Sequence, residues 1–226
     1  MTRLAPFDRL VRRARTVGLA VALTVGLAAC AGSPAATFTP AGPCATDGRA
    51  PGTYPALEAL VPTSLSAKAP MTLDSGRSCS NAALGSLVSH AVADLRFAGA
   101  TWDEGSGYGT SIAVLALPDA ALPIGWAEEF YEVGAKTARR TERIEITRPT
   151  LDAVGAVYRL DVLNDLSFQT VVVWADGPVA RVVIVASPVT ADTSRAAHDA
   201  RVLEAVAVAA SAAARSAGPS AGPAAS

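Results

Sequence analysis

The sequence predicts an α+β domain, in which an antiparallel sheet of about five to six strands carries two or three helices packed on one side. Three observations lead to this expectation. Segments with helical spacing occur early, midway and late in the candidate domain, and short alternating or β-branched runs lie between them. The connections between neighbouring runs are short, which favours antiparallel hairpins over parallel crossovers.

The first predicted element is an amphipathic helix over residues 80–97. Its apolar residues recur three and four positions apart, as one face of a helix requires. They are Leu84, Leu87, Val88, Ala91 and Leu95. Gly99 follows as a helix stop. Two strands are predicted next, over residues 100–103 and 108–117, with a glycine-rich turn between them.

A second helix is predicted to begin at Pro123, because proline is well placed in a first turn. Acidic residues follow near its start and basic residues lie near its end, which suits the helix dipole. These charged residues are Glu128, Glu129, Lys136, Arg139 and Arg140. Trp126, Phe130 and Val133 share one side of the helix, which predicts a stripe that faces the core.

The second half reads as β structure. Residues 154–162 alternate between apolar and other side chains, as a half-exposed antiparallel strand does, with Gly155, Val157, Arg159 and Asp161 on the outer side. Residues 168–174 and 179–186 are β-branched runs joined by Asp176-Gly177, a hairpin signal, and Pro178 suggests a turn longer than two residues.

A last helix is predicted over about residues 192–210. Its small residues would form a face able to lie close to a sheet. They are Ala196, Ala200, Leu203, Val206, Ala207 and Ala210.

The domain limits follow from composition. Half of the 226 residues are apolar, which is ample for one buried core, and residues 44–210 are predicted to form a single globular domain. Residues 30–43 are rich in small residues and proline and read as a tether, whereas residues 211–226 read as a disordered tail.

The N-terminus looks like an export signal. Residues 1–16 hold five arginines against one acid, and the thirteen residues from Val17 to Ala29 carry no charge. A basic start and an apolar segment too short to span a bilayer are typical of a cleaved signal peptide over residues 1–29.

The signal ends in Leu27-Ala28-Ala29-Cys30, which resembles the lipobox of bacterial lipoproteins. The resemblance implies cleavage before Cys30, lipidation of its thiol, and attachment to the extracytoplasmic face of the cell membrane through the lipid. The alternative is an ordinary signal peptide in which Cys30 is incidental. The export route, general or twin-arginine, stays open. Beyond this motif, the domain resembles at most other uncharacterised lipoproteins of bacteria rich in Arg and Ala.

Cys44 and Cys79 remain once Cys30 carries lipid. In an oxidising cell envelope they are expected to form a disulfide, whose loop of about 35 residues stabilises by roughly 3 to 4 kcal/mol. The alternative is two free thiols. With no histidine nearby, the pair is a poor zinc site.

Charge excludes one class of partner. Removal of residues 1–29 takes away five of the nineteen basic residues and one of the twenty acidic ones, which leaves a net charge of about −5. Nucleic acid is therefore not expected as a partner.

No catalytic residue, cofactor or metal is predicted. Ser86, His90 and Asp94 are four residues apart on the first predicted helix, and this spacing indicates a solvated face more than a catalytic triad. His90 and His198 are too far apart in the chain to suggest a shared metal site. The acids Asp103, Glu104, Asp161 and Asp165, with Asn164, read as turn residues. The glycine-rich turn lacks the Lys-Ser/Thr of a phosphate-binding loop.

The expected function is that of a membrane-anchored module that binds a small molecule or an envelope protein without catalysis. Two alternatives stay open: an envelope hydrolase with an unrecognised site, and a structural spacer. A deep pocket with converging polar groups would favour the hydrolase. A polar surface without pockets would favour the spacer.

Overall fold

The structure is a computed structural model that describes residues 38–190 and 193–216, with side chains described as far as Ala212. An eight-stranded sheet forms the centre of this part of the chain, and all its pairings are antiparallel. The α+β class and the antiparallel sheet predicted from the sequence are confirmed. The predicted size is wrong, because eight strands stand in place of five or six.

The strands, in chain order, are β1 (Gly48–Ala50), β2 (Thr72–Ser78), β3 (Leu95–Gly105), β4 (Tyr108–Ala116), β5 (Thr141–Thr147), β6 (Thr150–Leu151), β7 (Gly155–Ala156), β8 (Tyr158–Asn164), β9 (Ser167–Asp176) and β10 (Val179–Pro188). The α-helices are α1 (Pro55–Glu58), α2 (Asn81–Leu84), α3 (Ile124–Thr137) and α4 (Arg195–Ser216), and a 3₁₀ helix (Gly85–His90) follows α2. The spatial order of the large sheet is β1-β2-β3-β4-β10-β9-β8-β5, and β6 pairs with β7.

The strands of the large sheet that the sequence does not predict are β1, β2 and β5. β2 includes Asp74 and Arg77, and β5 includes Glu142 and Glu145, so neither shows the apolar run that marks a strand. Pairing with β3 and β8 forms them instead. Strand propensity depends on the neighbours that a segment meets, and a single sequence does not show those neighbours.

The helix predicted over residues 80–97 is wrong. α2 ends where Gly85 takes φ +53°, the 3₁₀ helix ends where Ala91 takes φ +59°, and Leu95 already begins β3. A side chain at Gly85 would also press on the Phe130 ring, since a Cβ there would lie 3.2 Å from it. Glycine therefore serves both the turn and the close packing of this segment on α3.

Helices cover both faces of the sheet, which corrects the expectation of one covered side. On β10, Val182 and Ile184 join the core cluster that includes Tyr131 of α3. Val183 and Val185, which alternate with them, join the cluster that includes four residues of α4. We call these two surfaces the α3 face and the α4 face. Because β10 is buried on both faces, its sequence lacks the alternation of apolar and polar residues that would mark one face as core and the other as solvent-exposed.

The apolar stripes of the two long helices differ from those predicted. In α3 the buried residues are Ala127 and Tyr131, whereas Val133 is 41% exposed. In α4 the predicted Leu203 is 50% exposed, and only Val206 of the predicted face is buried. The buried residues of α4 are His198, Val202, Ala205, Val206, Ala209 and Ala212.

The turn between β9 and β10 contains two residues, not the longer loop that Pro178 suggested. Val179 pairs directly with Asp176, and Gly177 takes φ +59°. A two-residue hairpin turn of type II′ needs a positive φ at its first central position and a negative φ at its second, which proline supplies.

Both ends of the predicted domain lie further out than expected. α4 continues to Ser216, six residues into the predicted disordered tail. At the other end, residues 39–43 of the predicted tether are bonded to the domain, as described below. Residues 1–37 and 217–226, which include the predicted signal and Cys30, lie outside the described residues.

Candidate functional site

The predicted disulfide is confirmed, since Cys44 and Cys79 are bonded to each other. The bond joins the segment before β1 to the residue that follows β2. Asp47 strengthens this junction, because its carboxylate accepts hydrogen bonds from the backbone N–H groups of Cys79 and Ser80. Burial raises the pKa of Asp47, but these bonds and one from the Ser80 hydroxyl outweigh burial and lower it.

Arg77 binds the chain that leads to the N-terminus. Its side chain is 2% exposed on β2, and its guanidinium donates to the carbonyl oxygens of Thr39, Gly42 and Pro43 at 2.6 to 3.0 Å. Asp94 lies 3.6 Å from the same guanidinium. Residues 39–43 are therefore part of the folded domain, which shortens the predicted tether.

Ser86, His90 and Asp94 do not share a helix. The 3₁₀ helix ends at His90, and Asp94 lies beyond it, beside Arg77. His90 forms a 2.8 Å ion pair with Glu129 and stacks on the Trp126 ring at 4.5 Å. The three residues are not brought together as a catalytic group.

A buried polar chain lies between the sheet and the start of α4, and His198 stands at its centre. His198 is fully buried, with its Nε2 atom 2.8 Å from the Thr170 hydroxyl and its Nδ1 atom 2.9 Å from the Ser187 hydroxyl. Thr170 donates its own proton to Asp161. Thr170 must then accept from Nε2. Because burial lowers the pKa of the ring to about 4, Nδ1 carries no proton at neutral pH and accepts from the Ser187 hydroxyl.

Two arginines complete this buried hydrogen-bond network. Arg159 donates to both oxygens of Asp161, and Arg195 lies 2.9 Å from the same carboxylate. Both arginines also bind Asp199. Burial raises the pKa of Asp161, but the bonds from Arg159 and Thr170 and the charges of both arginines outweigh burial and lower it.

Burial and, to a smaller extent, the charge of Arg195 lower the pKa of His198 to about 4. A histidine, serine and aspartate thus meet in one hydrogen-bonded chain, yet Ser187 and His198 have no exposed surface. In this conformation the hydrogen-bonded network holds α4 on the sheet. Its serine and histidine are not exposed to a substrate. Asp161 is the member of this network that the sequence analysis had noted. The alternation of residues 154–162 predicted it on the solvent side, but α4 covers it.

The acids of the other predicted turns hold local structure. The Asn164 side chain accepts from the backbone N–H groups of Leu166 and Ser167, as an Asx turn does. Asp103 accepts from Gly105 in the hairpin between β3 and β4.

One open feature of the described part of the chain is a groove on the α3 face of β2, β3 and β4. α3 packs on β5, β8 and β9, and it leaves this part of the face uncovered. Small residues form the floor, where Gly99 of β3 lies opposite Ala113 of β4 and Ser111 lies one step along. Phe130 and Tyr131 of α3 form a wall. The groove has a cavity volume of about 100 Å³, and it is partly open to solvent.

The two ends of the groove differ in chemistry. The inner end is apolar, with Leu95 and Leu115 beside the aromatic wall. Polar side chains gather at the outer end. They are Arg49, Thr72, Asp74, Thr101 and Ser111. This combination of an apolar interior with a few placed polar groups is typical of small-molecule sites.

Asp74 is the most distinctive group of the groove. Its side chain is 17% exposed, and its partner is Arg49 at 3.4 Å, which is itself 54% exposed. Burial raises the pKa of Asp74, the nearby charge of Glu58 raises it further, and Arg49 opposes both. A partly desolvated carboxylate beside an exposed cation still has capacity to accept hydrogen bonds.

Sequence reasoning missed this groove. One signal was present, because β2 places Thr72, Asp74 and Gly76 on one face with the period of a strand. The remaining lining comes from β1, β3, β4 and α3, so only the fold assembles it.

Among the described residues, no three His, Cys, Asp or Glu side chains are grouped closely enough to hold a metal ion. None of the helices in this part of the chain has both the length and the apolarity needed to cross a bilayer. No protein family, curated protein or solved structure matches the chain.

Proposed function

We propose that this chain is an extracytoplasmic lipoprotein, anchored through Cys30, whose domain binds a small molecule in the groove. The ligand has an apolar body, which lies on Gly99 and Ala113, and a polar end that donates a hydrogen bond to Asp74. The groove itself is the observation that carries this proposal, because its lining, largely apolar with a few placed polar groups, matches that of ligand sites.

The chemistry of the outer end supports a ligand with a hydrogen-bond donor. Asp74 accepts but cannot donate when ionised, and its present partner is an exposed arginine. An exposed ion pair contributes little to stability, so a ligand donor can replace or join Arg49 at low cost. The apolar inner end then supplies most of the binding free energy through burial.

The N-terminal structure supports the anchoring part of the proposal. Arg77 and the disulfide fix residues 39–44 to β2. The attachment point therefore lies at the β1–β2 edge of the sheet, on the α4 face, and it leaves the groove on the α3 face open.

Filling the groove tests the proposal. Gly99→Val adds a side chain on the floor, where a Cβ would make ordinary contacts of 3.5 Å or more and no positive φ opposes it. We expect the variant to fold, because valine favours strands. Binding of N-phenyl-1-naphthylamine, an apolar fluorescent compound with one N–H donor, should fall at least about tenfold, since the inserted group occupies the site.

Gly109→Val is the matched control. Gly109 lies on the same face of β4 but does not line the groove, and a Cβ there also meets only an ordinary contact at 3.7 Å. This variant should bind the probe as the parent chain does. Equal binding of the probe by the parent and Gly99→Val, with both proteins folded, would contradict the proposal that the groove is the binding site.

A further inference from the structure

The outer edge of β5 is the long open edge of the sheet. Among the described strands, β5 pairs only with β8, and its other side has no neighbour. The opposite edge, β1, has only three residues. A free strand edge exposes a row of backbone N–H and C=O groups, which is a template for another strand.

β5 has a regular register with β8 from Arg143 to Thr147. In this stretch Arg143 and Glu145 project on the α4 face, whereas Ile144 and Ile146 project on the α3 face. Both charged side chains are exposed, and neither forms an ion pair within the described part of the chain. Ile146 is 40% exposed.

The charges at positions 143 and 145 make the strand complementary to itself. In an antiparallel pair of two β5 strands with the two-fold axis at Ile144, Arg143 of each copy lies opposite Glu145 of the other. An axis at Glu145 would instead place two glutamates opposite each other, and an axis at Arg143 would place two arginines together. Directly opposed opposite charges stabilise strand pairs, whereas like charges destabilise them.

We propose that two copies of this chain associate through β5, in the register that places Ile144 on the two-fold axis. The two eight-stranded sheets then form one continuous sheet. Natural edges use charged side chains against pairing. In β5 the charge changes sign between positions 143 and 145. This pattern favours one register, and it favours a second copy of the chain as the partner.

Sedimentation equilibrium of the full chain in density-matched detergent tests this proposal. The contact is small, so we expect a weak, concentration-dependent equilibrium between monomer and dimer. Arg143→Glu and Glu145→Arg should each weaken self-association about tenfold or more, because each change places like charges opposite each other at two positions. Lys68→Glu, in an exposed loop outside β5, alters charge equally to Arg143→Glu and should have no effect.

The mixing experiment is the decisive part. In an equimolar mixture of Arg143→Glu and Glu145→Arg, each reversed residue faces an opposite charge on the other variant, so dimers should return to the parent level. A parent chain that stays monomeric at every concentration would overturn the proposal. A mixture no more associated than either variant alone would overturn it equally.

Discussion

His198 links the stability of the domain to pH. Its pKa in the folded chain is about 4, against about 6.5 in the unfolded chain, because the neutral ring is buried between Ser187 and Thr170. Between these values the unfolded chain binds a proton that the folded chain does not. The stabilisation is therefore complete above pH 6.5 and is lost as pH falls to 4, by about 3 kcal/mol in total.

Chemical denaturation at several pH values checks this expectation. The free energy of unfolding should decrease from pH 7 to pH 4 in the parent chain, and the decrease should be much smaller in His198→Gln, which keeps a neutral polar side chain. Asp47 and Asp161, whose pKa values are lowered from 3.8, and Asp74, whose pKa is raised, are present in both proteins, so their contributions cancel in the comparison. An equal pH dependence in both proteins would show that His198 is not the group responsible.

The residues of the buried hydrogen-bond network around His198 were difficult to predict individually. Asp161 and Arg159 alternate with the apolar residues of β8, and that pattern normally indicates a solvent face. They are internal because α4 covers them and supplies Arg195 as a partner for Asp161 and Asp199 as a partner for Arg159. Buried polar groups need partners, and the partners here come from more than 30 residues away along the chain.

At the scale of elements, the predictions succeeded where a segment carries its own signal. β9 and β10 are rich in β-branched residues and meet at a glycine turn, and α3 begins just after its proline. β5 and β2 lack such signals and depend on their neighbours. α4 was placed well along the chain, but its many alanines give little contrast between faces, so the buried face was misassigned.

Arg77 gives a prediction for the element that precedes β1. Arg77→Met keeps the apolar stem but leaves the carbonyl groups of residues 39–43 without this donor, so we expect a loss of about 2 to 4 kcal/mol in the free energy of unfolding. Lys136→Met removes an exposed ion pair of α3 and should change it by about 0.5 kcal/mol or less. Denaturant unfolding measures both.

Hydrogen exchange locates the effect of Arg77→Met. Faster exchange confined to residues 39–50, with β9 and β10 unchanged, agrees with a role in holding the N-terminal segment. Unchanged stability would contradict the view that this segment belongs to the domain.

At the scale of the whole molecule, the candidate site could not be found from sequence motifs. The groove combines β1, β2, β3, β4 and α3, and its floor is shaped by small residues that carry no chemical signature. The sequence alone predicts the disulfide, which the structure confirms, and, by resemblance, lipidation of Cys30, which stays a prediction. The roles of Gly99 and Asp74 become apparent only in the folded sheet, where Gly99 lies opposite Ala113 and Asp74 lies 3.4 Å from Arg49.

The central claim is that a domain anchored through Cys30 binds a small molecule in this groove. Native mass spectrometry of the full chain extracted from membranes tests it most directly, with Gly99→Val beside the parent. We predict a chain that starts at Cys30 with added acyl mass, and a non-covalent ligand on the parent that is absent from the variant. A chain without acyl mass that starts elsewhere, or equal ligand occupancy in both proteins, would contradict the account.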